Sequence, residues 1–255
     1  MTAAAFRLDD KVAIITGSTK GIGRAIAESM ADLGAKVVIS SRKAEACGAV
    51  AAAIRDSGGD AIPLPCNISR KAEVEKLVAD TVKQWARVDI LVCNAAVNPV
   101  YGPLGQLSDE AFDKVMGSNV KSSLWLANLV IPGMAERGYG AVVIVSSIAG
   151  IRGTGVLGAY GISKAADFAL ARNLAVEWGP KNVRVNCIAP GLVQTDFARA
   201  LWENPDQLAK RNADTPLRRI GQPHEIGPVA AFLASPAASF ITGQIIVADG
   251  GVTIS

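Results

Sequence analysis

The sequence has little net charge and a single histidine. Its 26 basic and 23 acidic residues leave a net charge of +3, spread along the chain without a basic stripe. Such a charge pattern gives no indication of nucleic-acid binding. The one histidine, His224, stands beside Pro223 at a predicted helix start, and no cluster of histidine, cysteine and carboxylates has metal-ligand spacing. We therefore expect no metal site.

Cysteine is scarce as well, and long apolar runs are missing. The four cysteines stand far apart without a C-x-x-C pair, which indicates buried free thiols in a reducing compartment. No apolar stretch reaches the ~18 residues of a membrane span, and residues 1–10 lack the pattern of a secretory signal. The last four residues match neither a peroxisomal nor a prenylation signal. By default, the sequence predicts a cytoplasmic protein with no membrane partner.

What the sequence does contain is an alternation of short β-branched runs with longer helical patterns. Most of these runs are apolar almost throughout, which is typical of strands buried on both faces. The predicted strands are Lys11–Thr16, Lys36–Ser41, Ala61–Cys66, Asp89–Cys93, Ala141–Ser146, Val183–Ile188 and Gln244–Ala248. The predicted helices are Gly21–Leu33, Ala44–Ser57, Lys71–Trp85, Asp109–Arg137, Ala159–Trp178 and Pro223–Ala234.

Repeated strand–helix–strand order predicts one α/β domain over residues 1–255, a doubly wound (Rossmann) domain. We expect a seven-stranded parallel sheet with helices on both faces. Ser69 and Ser108 should cap the third and fourth helices, and Pro132 should kink the fourth or end its regular part. The segment Thr195–Ile220 is polar, lacks a strand and follows the sixth strand, so it is predicted to be a substrate lid.

A glycine-rich turn joins the first strand to the first helix. Glycines permit a tight turn and let a pyrophosphate approach the main chain, while the helix N-terminus supplies N–H groups and a positive dipole end. A purely structural turn can look the same, but its place between strand and helix favours phosphate binding. The candidate residues are Gly17, Ser18, Thr19, Lys20, Gly21, Ile22 and Gly23.

A second constellation follows the fifth strand. Tyr160 and Lys164 are four residues apart on one helix and therefore share a face, and Ser147 precedes Tyr160 by thirteen residues. A Tyr and a Lys at this spacing are by themselves more often a surface pair. With a serine at the end of the preceding strand, however, the set matches what hydride delivery to a carbonyl carbon requires. The carbonyl oxygen needs a proton donor, and a neighbouring ammonium makes a phenol more easily ionised.

The order and spacing of these motifs resemble the short-chain dehydrogenase/reductase family over essentially the whole chain. The glycine turn has the spacing T-G-x-x-x-G-x-G, and the later matches are Cys93-Asn94-Ala95-Ala96, Asn119, Ser147, Tyr160–Lys164 and Pro190-Gly191. Within the family, Asn94–Pro99 and Ala189–Leu192 resemble NADP-dependent carbonyl and retinal reductases of the peroxisomal type. The terminal targeting tripeptide of that type is absent here, so the organelle is not carried over.

The resemblance implies a role for each catalytic candidate. Tyr160 would be the general acid/base, and Lys164 would hold the nicotinamide ribose. Ser147 would hydrogen-bond the substrate oxygen, with neighbouring Ser146 as the alternative that the family spacing does not select. Asn119 would position Lys164 through a water.

The end of the second strand bears on the choice of cofactor. It lacks the carboxylate that NAD enzymes place against the ribose 2′-hydroxyl. Ser41 and Arg42 would instead bind a 2′-phosphate, with Lys20 close by. NADP(H) is therefore favoured and NAD(H) remains possible, although Arg42 and Lys43 also fit solvated residues at a helix start. The remaining predicted cofactor contacts are Asn67, Ile68, Asn94, Ala95, Ala96, Pro190, Gly191, Val193 and Thr195.

The sequence therefore predicts an NADP(H)-dependent oxidoreductase acting on a ketone, an aldehyde or a secondary alcohol. Two alternatives stay open: a 3-oxoacyl-[acyl-carrier-protein] reductase, which should need a basic patch, and a non-catalytic NADP-binding or sensing protein. Val97, Leu157, Leu201 and Trp202 would line an apolar substrate pocket or serve as ordinary packing. The resemblance also implies a homotetramer assembled through Asp109–Arg137, Ala159–Trp178 and Ile241–Ile254.

Overall fold

The computed structural model describes residues 3–255. Met1 and Thr2 lie outside the described residues; they belong to the segment 1–10, in which no secretory signal is predicted. The strands are β1 Val12–Thr16, β2 Lys36–Ser40, β3 Asp60–Pro63, β4 Ile90–Cys93, β5 Gly140–Val145, β6 Val183–Pro190 and β7 Ile245–Ala248. The helices are α1 Gly21–Asp32, α2 Ala44–Asp56, α3 Lys71–Trp85, α4 Asp109–Met116, α5 Ser122–Glu136, α6 Gly158–Trp178, α7 Pro205–Asp214 and α8 Pro223–Ala234.

All seven strands form one parallel sheet in the order β3-β2-β1-β4-β5-β6-β7, which confirms the predicted doubly wound fold. The winding direction reverses between β3 and β4, so β1 and β4 become neighbours. In open α/β sheets, ligands bind at the carboxyl ends of the strands beside such a reversal. The glycine turn after β1 and the segment after β4 both lie there.

Alternate residues of each strand feed two separate hydrophobic cores. In β1, Ala13 and Ile15 pack with α1, α2 and α8, whereas Ile14 packs with α3, α5 and α6. With both faces covered, every residue of β1 and β6 is buried, and the strands need no polar alternation. All four cysteines are buried and free, as predicted.

The helix predicted over Asp109–Arg137 is in fact two helices joined by one wide π turn, Gly117–Lys121. Pro132 neither ends nor interrupts α5, which continues to Glu136. The loss of one N–H donor is tolerated because α5 buries a continuous apolar face against the sheet. Single π turns inside helices are frequent at functional sites.

One of the two predicted helix caps is correct. Ser108 caps α4 by accepting a hydrogen bond from the Ala111 N–H. Ser69 does not cap α3, which begins after Arg70; its hydroxyl bonds the Ser118 hydroxyl instead, at 2.8 Å. Ser69 therefore connects the start of α3 to the π turn. Over residues 3–255, the helices include none with both the length and the apolar content to cross a bilayer.

Candidate active site

The glycine turn between β1 and α1 has the backbone geometry of an anion cradle. Gly17 and Gly21 have φ of +68° and +55°, which favour glycine. Gly23 has no space for a side chain, since a Cβ there would overlap Asn94 Nδ2 and the Gly17 carbonyl. Among residues 3–255, no side chain caps the N-terminus of α1 at Lys20, so the first-turn N–H groups are available to an anion. These residues fit a pyrophosphate.

Asn94 and Thr16 hold the turn in place. Asn94 Nδ2 donates to the carbonyls of Thr16 and Gly17, at 2.9 and 3.2 Å. In return, the Thr16 hydroxyl accepts from the N–H groups of Asn94 and Ala95, both at 3.1 Å. The predicted Asn94–Ala96 segment therefore lies directly against the glycine turn.

Two predicted cofactor residues of the turn have side chains committed elsewhere. The Ser18 hydroxyl is buried, donates to the Ile15 carbonyl at 2.7 Å and accepts from the Ser40 N–H at 2.8 Å. Ile22 packs into the core beneath α1. Only their backbone groups can face a ligand, whereas Thr19 is half-buried and Lys20 is exposed.

The carboxyl end of β2 presents basic and hydroxyl groups. Arg42 and Lys43 are exposed and Ser41 is half-buried, with its hydroxyl 3.4 Å from Cys47 Sγ. The nearest carboxylate along the chain is Glu45, in the first turn of α2. A dianionic phosphate at this position would meet positive charge and no acidic group at the strand end.

The segment after β3 is held by its own hydrogen bonds. Asn67 is a predicted cofactor contact. Its Oδ1 accepts from the Ser69 N–H at 3.1 Å, and its N–H donates to Glu73 at 2.7 Å. Ile68 is buried in the core. Asn67 thus shapes the loop after β3, and Ile68 anchors that loop in the core.

Tyr160 and Lys164 occupy one face of α6, as their spacing predicts. Lys164 Nζ lies 5.6 Å from the centre of the half-buried Tyr160 ring. The structure also distinguishes the two serines after β5. The Ser146 hydroxyl is buried and donates to the Lys164 carbonyl at 2.8 Å. Ser147 is half-buried, and its oxygen accepts from the Ala149 N–H at 3.1 Å, leaving its hydroxyl proton to donate.

Asn119 lies in the π turn and bridges two segments of the site. Its side chain accepts from the Val97 N–H at 2.8 Å and donates to the Val97 carbonyl at 3.0 Å. It also donates to the Ser163 hydroxyl at 3.0 Å, and that hydroxyl donates to the Tyr160 carbonyl at 2.7 Å. Asn119 therefore fastens the loop after β4 to the helix that carries Tyr160 and Lys164.

Lys164 also forms an ion pair with a residue that no sequence motif indicated. Its Nζ donates to the Val145 carbonyl at 2.9 Å and to Asp167 Oδ2 at 3.0 Å. Although burial opposes its charge, the Asp167 carboxylate raises the pKa of Lys164 above its usual value. Burial likewise raises the pKa of Asp167, and the ammonium offsets part of that effect. A carboxylate one helical turn after Lys164 was the available signal.

The chain after β6 is held by contacts with two other segments. Pro190 ends β6, and Gly191 lies so close to Asp249 that a Cβ would sit 2.8 Å from that residue's backbone. Val193 is buried and forms a parallel bridge with Gly221. The hydrogen bonds of that bridge use the residues on either side of Val193. They therefore do not use the N–H and C=O of Val193, a predicted cofactor contact.

The predicted lid, Thr195–Ile220, begins beside the glycine turn. The Thr195 methyl carbon lies 3.1 Å from the position that a Cβ on Gly21 would take, and the Thr195 hydroxyl accepts from the Ala198 N–H. Lys20, expected near a 2′-phosphate, forms an exposed ion pair with Asp196 at 3.2 Å. The lid contains a short helical turn, Asp196–Leu201, followed by α7, and no strand among its described residues.

An exposed aromatic ring of the predicted lid lies beside Tyr160. The ring centres of Phe197 and Tyr160 are 6.0 Å apart, a contact that the sequence analysis missed because Phe197 carries no motif. Trp202, expected to line a pocket, donates through its indole N–H to the Thr195 carbonyl at 3.0 Å and thereby braces the lid. The other three pocket candidates are half-buried: Val97, Leu157 and Leu201.

Comparison with known proteins agrees with this geometry. A family model described as "Enoyl-(Acyl carrier protein) reductase" matches residues 17–253. The chain belongs to the short-chain dehydrogenase/reductase family of oxidoreductases, whose members bind a nicotinamide cofactor, and this confirms the family resemblance.

Among its relatives, dehydrogenase/reductase SDR family member 4 from Bos taurus is 45% identical over 244 residues, covering 96% of this chain and 88% of the relative. A gluconate 5-dehydrogenase from Burkholderia cenocepacia, solved with NADP and tartrate, is 30% identical with a TM-score of 0.95 over 100% of both chains. A 7α-hydroxysteroid dehydrogenase, solved with NADH and 7-oxo glycochenodeoxycholic acid, is 38% identical with a TM-score of 0.94, covering 98% of this chain and 97% of that one.

Proposed function

We propose that this protein is an NADP(H)-dependent oxidoreductase that interconverts a hydrophobic ketone or aldehyde with its alcohol. The observation that carries the proposal is the placement of Tyr160 beside the buried Lys164 ammonium on α6, with the half-buried Ser147 at the end of the neighbouring strand β5. This set combines a proton donor, a fixed positive charge and a hydroxyl near one cleft. A developing alkoxide requires those three groups.

Each residue has a defined task in this proposal. The Tyr160 hydroxyl gives its proton to the carbonyl oxygen during reduction and takes it back during oxidation. The Lys164 ammonium, 5.6 Å from the centre of the Tyr160 ring, stabilises the negative charge that develops on the reacting oxygen atoms. Ser147 donates a hydrogen bond to the same substrate oxygen, and Asn119 keeps α6 and the loop after β4 in register. The cofactor, when bound, supplies or accepts the hydride.

The proposed preference for NADP(H) rests on charge. Arg42 and Lys43 are exposed at the end of β2, and Ser41 offers a hydroxyl beside them. A ribose 2′-phosphate would receive charge-assisted hydrogen bonds there, whereas a 2′-hydroxyl would find no carboxylate to accept its hydrogen bond. The NADP complex of the gluconate 5-dehydrogenase and the NADH complex of the steroid enzyme mark the two possibilities among related structures.

The proposed substrate class rests on the apolar surroundings of Tyr160. Phe197 is exposed on the lid at 6.0 Å from the Tyr160 ring. Leu104 is also exposed and packs against Gly158, at the start of α6. A substrate with an apolar body would cover both side chains, which favours hydrophobic carbonyl compounds.

We further propose that the protein assembles as a homotetramer. Three large apolar side chains outside the cleft are strongly exposed: Val176 near the end of α6, Phe240 before β7 and Ile254 at the C-terminus. Association of copies through α6 and the β7 region would bury them. Sedimentation velocity tests this assembly, and a monomer at micromolar concentration would contradict it.

The function is tested by a panel of hydrophobic ketones, aldehydes and alcohols, assayed with NADPH and NADH in parallel. A 3-oxoacyl thioester and an enoyl thioester are included to test acyl-carrier chemistry. We expect turnover of free carbonyls with NADPH and a loss of about 10²- to 10⁴-fold in kcat for Tyr160→Phe, the usual range for general acid–base catalysis. Equal rates in the variant and the native protein would remove the proposed mechanism, and thioester turnover alone would replace the substrate class.

A further inference from the structure

Behind the Tyr160–Lys164 pair lies a buried carboxylate to which the proposed chemistry assigns no task. Asp167 is one turn after Lys164 on α6, and the two side chains are 0% and 4% exposed. Within residues 3–255, Asp167 Oδ1 has no hydrogen-bond partner. Burying a carboxylate with one oxygen unsatisfied is costly, so the position calls for an explanation other than packing.

The geometry of the ammonium supplies that explanation. A protonated lysine has three N–H donors. One is directed to the Val145 carbonyl at 2.9 Å and one to Asp167 Oδ2 at 3.0 Å. These two acceptors, one on β5 and one on α6, fix the Nζ position from two elements. One N–H is left for the neighbourhood of Tyr160.

The other groups around Lys164 do not supply a counter-charge. Cys93 on β4 and Cys187 on β6 approach the pair, but burial raises the pKa of Cys93 to about 12 and that of Cys187 further, so both remain neutral thiols. The Ser146 hydroxyl on β5 donates to the Lys164 backbone carbonyl. Arg172, farther along α6, is exposed and carries the same sign as Lys164.

We propose that Asp167 is a positioning residue for catalysis: its carboxylate keeps the buried Lys164 charged and fixed, with one N–H free towards Tyr160 and the cofactor. The catalytic part rests on the proposed function, whereas the protonation state of Lys164 does not. Without the carboxylate, desolvation would dominate and Lys164 would lose its proton at lower pH. The positive charge that the proposed chemistry needs beside Tyr160 would then be lost at a lower pH than in the native protein.

The protonation state can be measured in the cofactor-free protein by NMR of ¹⁵N-labelled lysine side chains, with Lys164→Ala identifying the resonance. In Asp167→Asn, which keeps an oxygen acceptor but removes the charge, Lys164 should lose its proton at least one pH unit lower, about a tenfold weaker proton affinity. Asp167→Glu should restore the native value to within about threefold, since it restores the charge. Asp80→Asn, which removes the acidic partner of an exposed α3 ion pair with Lys76, should change nothing at Lys164.

The pH dependence of kcat gives a second test, because a residue with a purely structural role would not change the shape of that dependence. For alcohol oxidation, native kcat should not fall with rising pH over the range in which Lys164 keeps its proton. In Asp167→Asn, kcat should fall within that range as Lys164 deprotonates. A uniform decrease with an unchanged profile would overturn the proposal, as would an unchanged Lys164 titration in the folded Asn variant.

A measurement on the native protein tests the proposal even if the Asp167→Asn variant does not fold. Lys164 should keep its proton at least to the pH at which the exposed lysines lose theirs. Deprotonation of the native Lys164 below that pH would overturn the proposal. If the NMR titration of Lys164 is as expected but no carbonyl or alcohol is turned over, the proposed function is wrong. The conclusion that Asp167 keeps Lys164 charged is then unaffected.

Discussion

Gly23 packs against the side chain of Asn94 with no space for a methyl group between them. The same Asn94 amide donates to the carbonyls of Thr16 and Gly17. The residue that excludes a side chain at position 23 is thus the residue that holds the phosphate cradle in shape. This contact couples α1, the glycine turn and the loop after β4.

Gly23→Ala should therefore damage both stability and cofactor binding. The added methyl must displace Asn94 or the Gly17 carbonyl, at a cost of about 1–3 kcal/mol for overpacking. We expect the Kd for NADPH to rise at least about tenfold, equivalent to roughly 1.4 kcal/mol. Urea unfolding and a fluorescence titration with NADPH measure the two effects.

Gly48→Ala is the control for that substitution. Gly48 lies inside α2, and nothing lies within 4 Å of the position that an added methyl group would take. Alanine should therefore stabilise the helix by about 0.5–1 kcal/mol. NADPH affinity should stay unchanged. Equal behaviour of the two variants would contradict the role given to the Gly23–Asn94 contact.

Arg42→Ala should weaken NADPH binding without affecting NADH. Hydrogen bonds to charged groups contribute about 1.5–3 kcal/mol, which corresponds to a rise in Kd of roughly 10- to 150-fold. Parallel titrations with both cofactors measure the difference. Arg24→Ala, which removes an exposed α1 arginine paired with Glu28, should alter neither Kd. An equal loss for both cofactors would show that Arg42 does not contact a 2′-phosphate.

Phe197→Ala should raise KM for bulky apolar ketones more than for small ones. Burying a large apolar side chain contributes about 1.5–3 kcal/mol, so a roughly tenfold rise is expected, with kcat changed far less. Val82→Ala, at an exposed apolar position on α3, is the control. Unchanged KM across the panel would place the substrate away from the lid ring.

Glu225 should make part of the stability pH-dependent in acid. Hydrogen bonds from Arg219 and from the Gln222 N–H lower the pKa of Glu225 to about 2, whereas an unfolded Glu has a pKa of about 4.3. Because the folded value is lower, the stabilisation is fully present above the unfolded pKa and is lost as pH falls towards 2. Glu225→Gln should flatten the pH dependence of the free energy of unfolding in that window.

Urea unfolding between about pH 2 and pH 5, spanning those two pKa values, measures this effect. Glu28→Gln, which removes the carboxylate of an exposed pair on α1, is the comparison. If both variants follow the native pH dependence, the α8 cap at Glu225 does not contribute to acid stability.

The sequence alone determined the sheet and the order of the site motifs. Short apolar runs such as Val12–Thr16 are typical of strands covered on both faces, and their alternation with helical patterns predicts a doubly wound parallel sheet. Motif spacing placed Tyr160 and Lys164 on one helix face because a helical turn fixes that relation locally. Both the strand pattern and the shared helix face follow from the local order of residues along the chain.

Only the tertiary structure decided which polar groups meet across elements. Ser69 looked like a helix cap but bonds Ser118, because the start of α3 packs against a π turn that no local pattern indicated. The contact of Lys164 with the Val145 carbonyl, and the burial of its ion pair with Asp167, likewise depend on how α6 lies against β5. Sequence spacing predicts neighbours within one element, whereas burial and the pairing of charges are set by packing between elements.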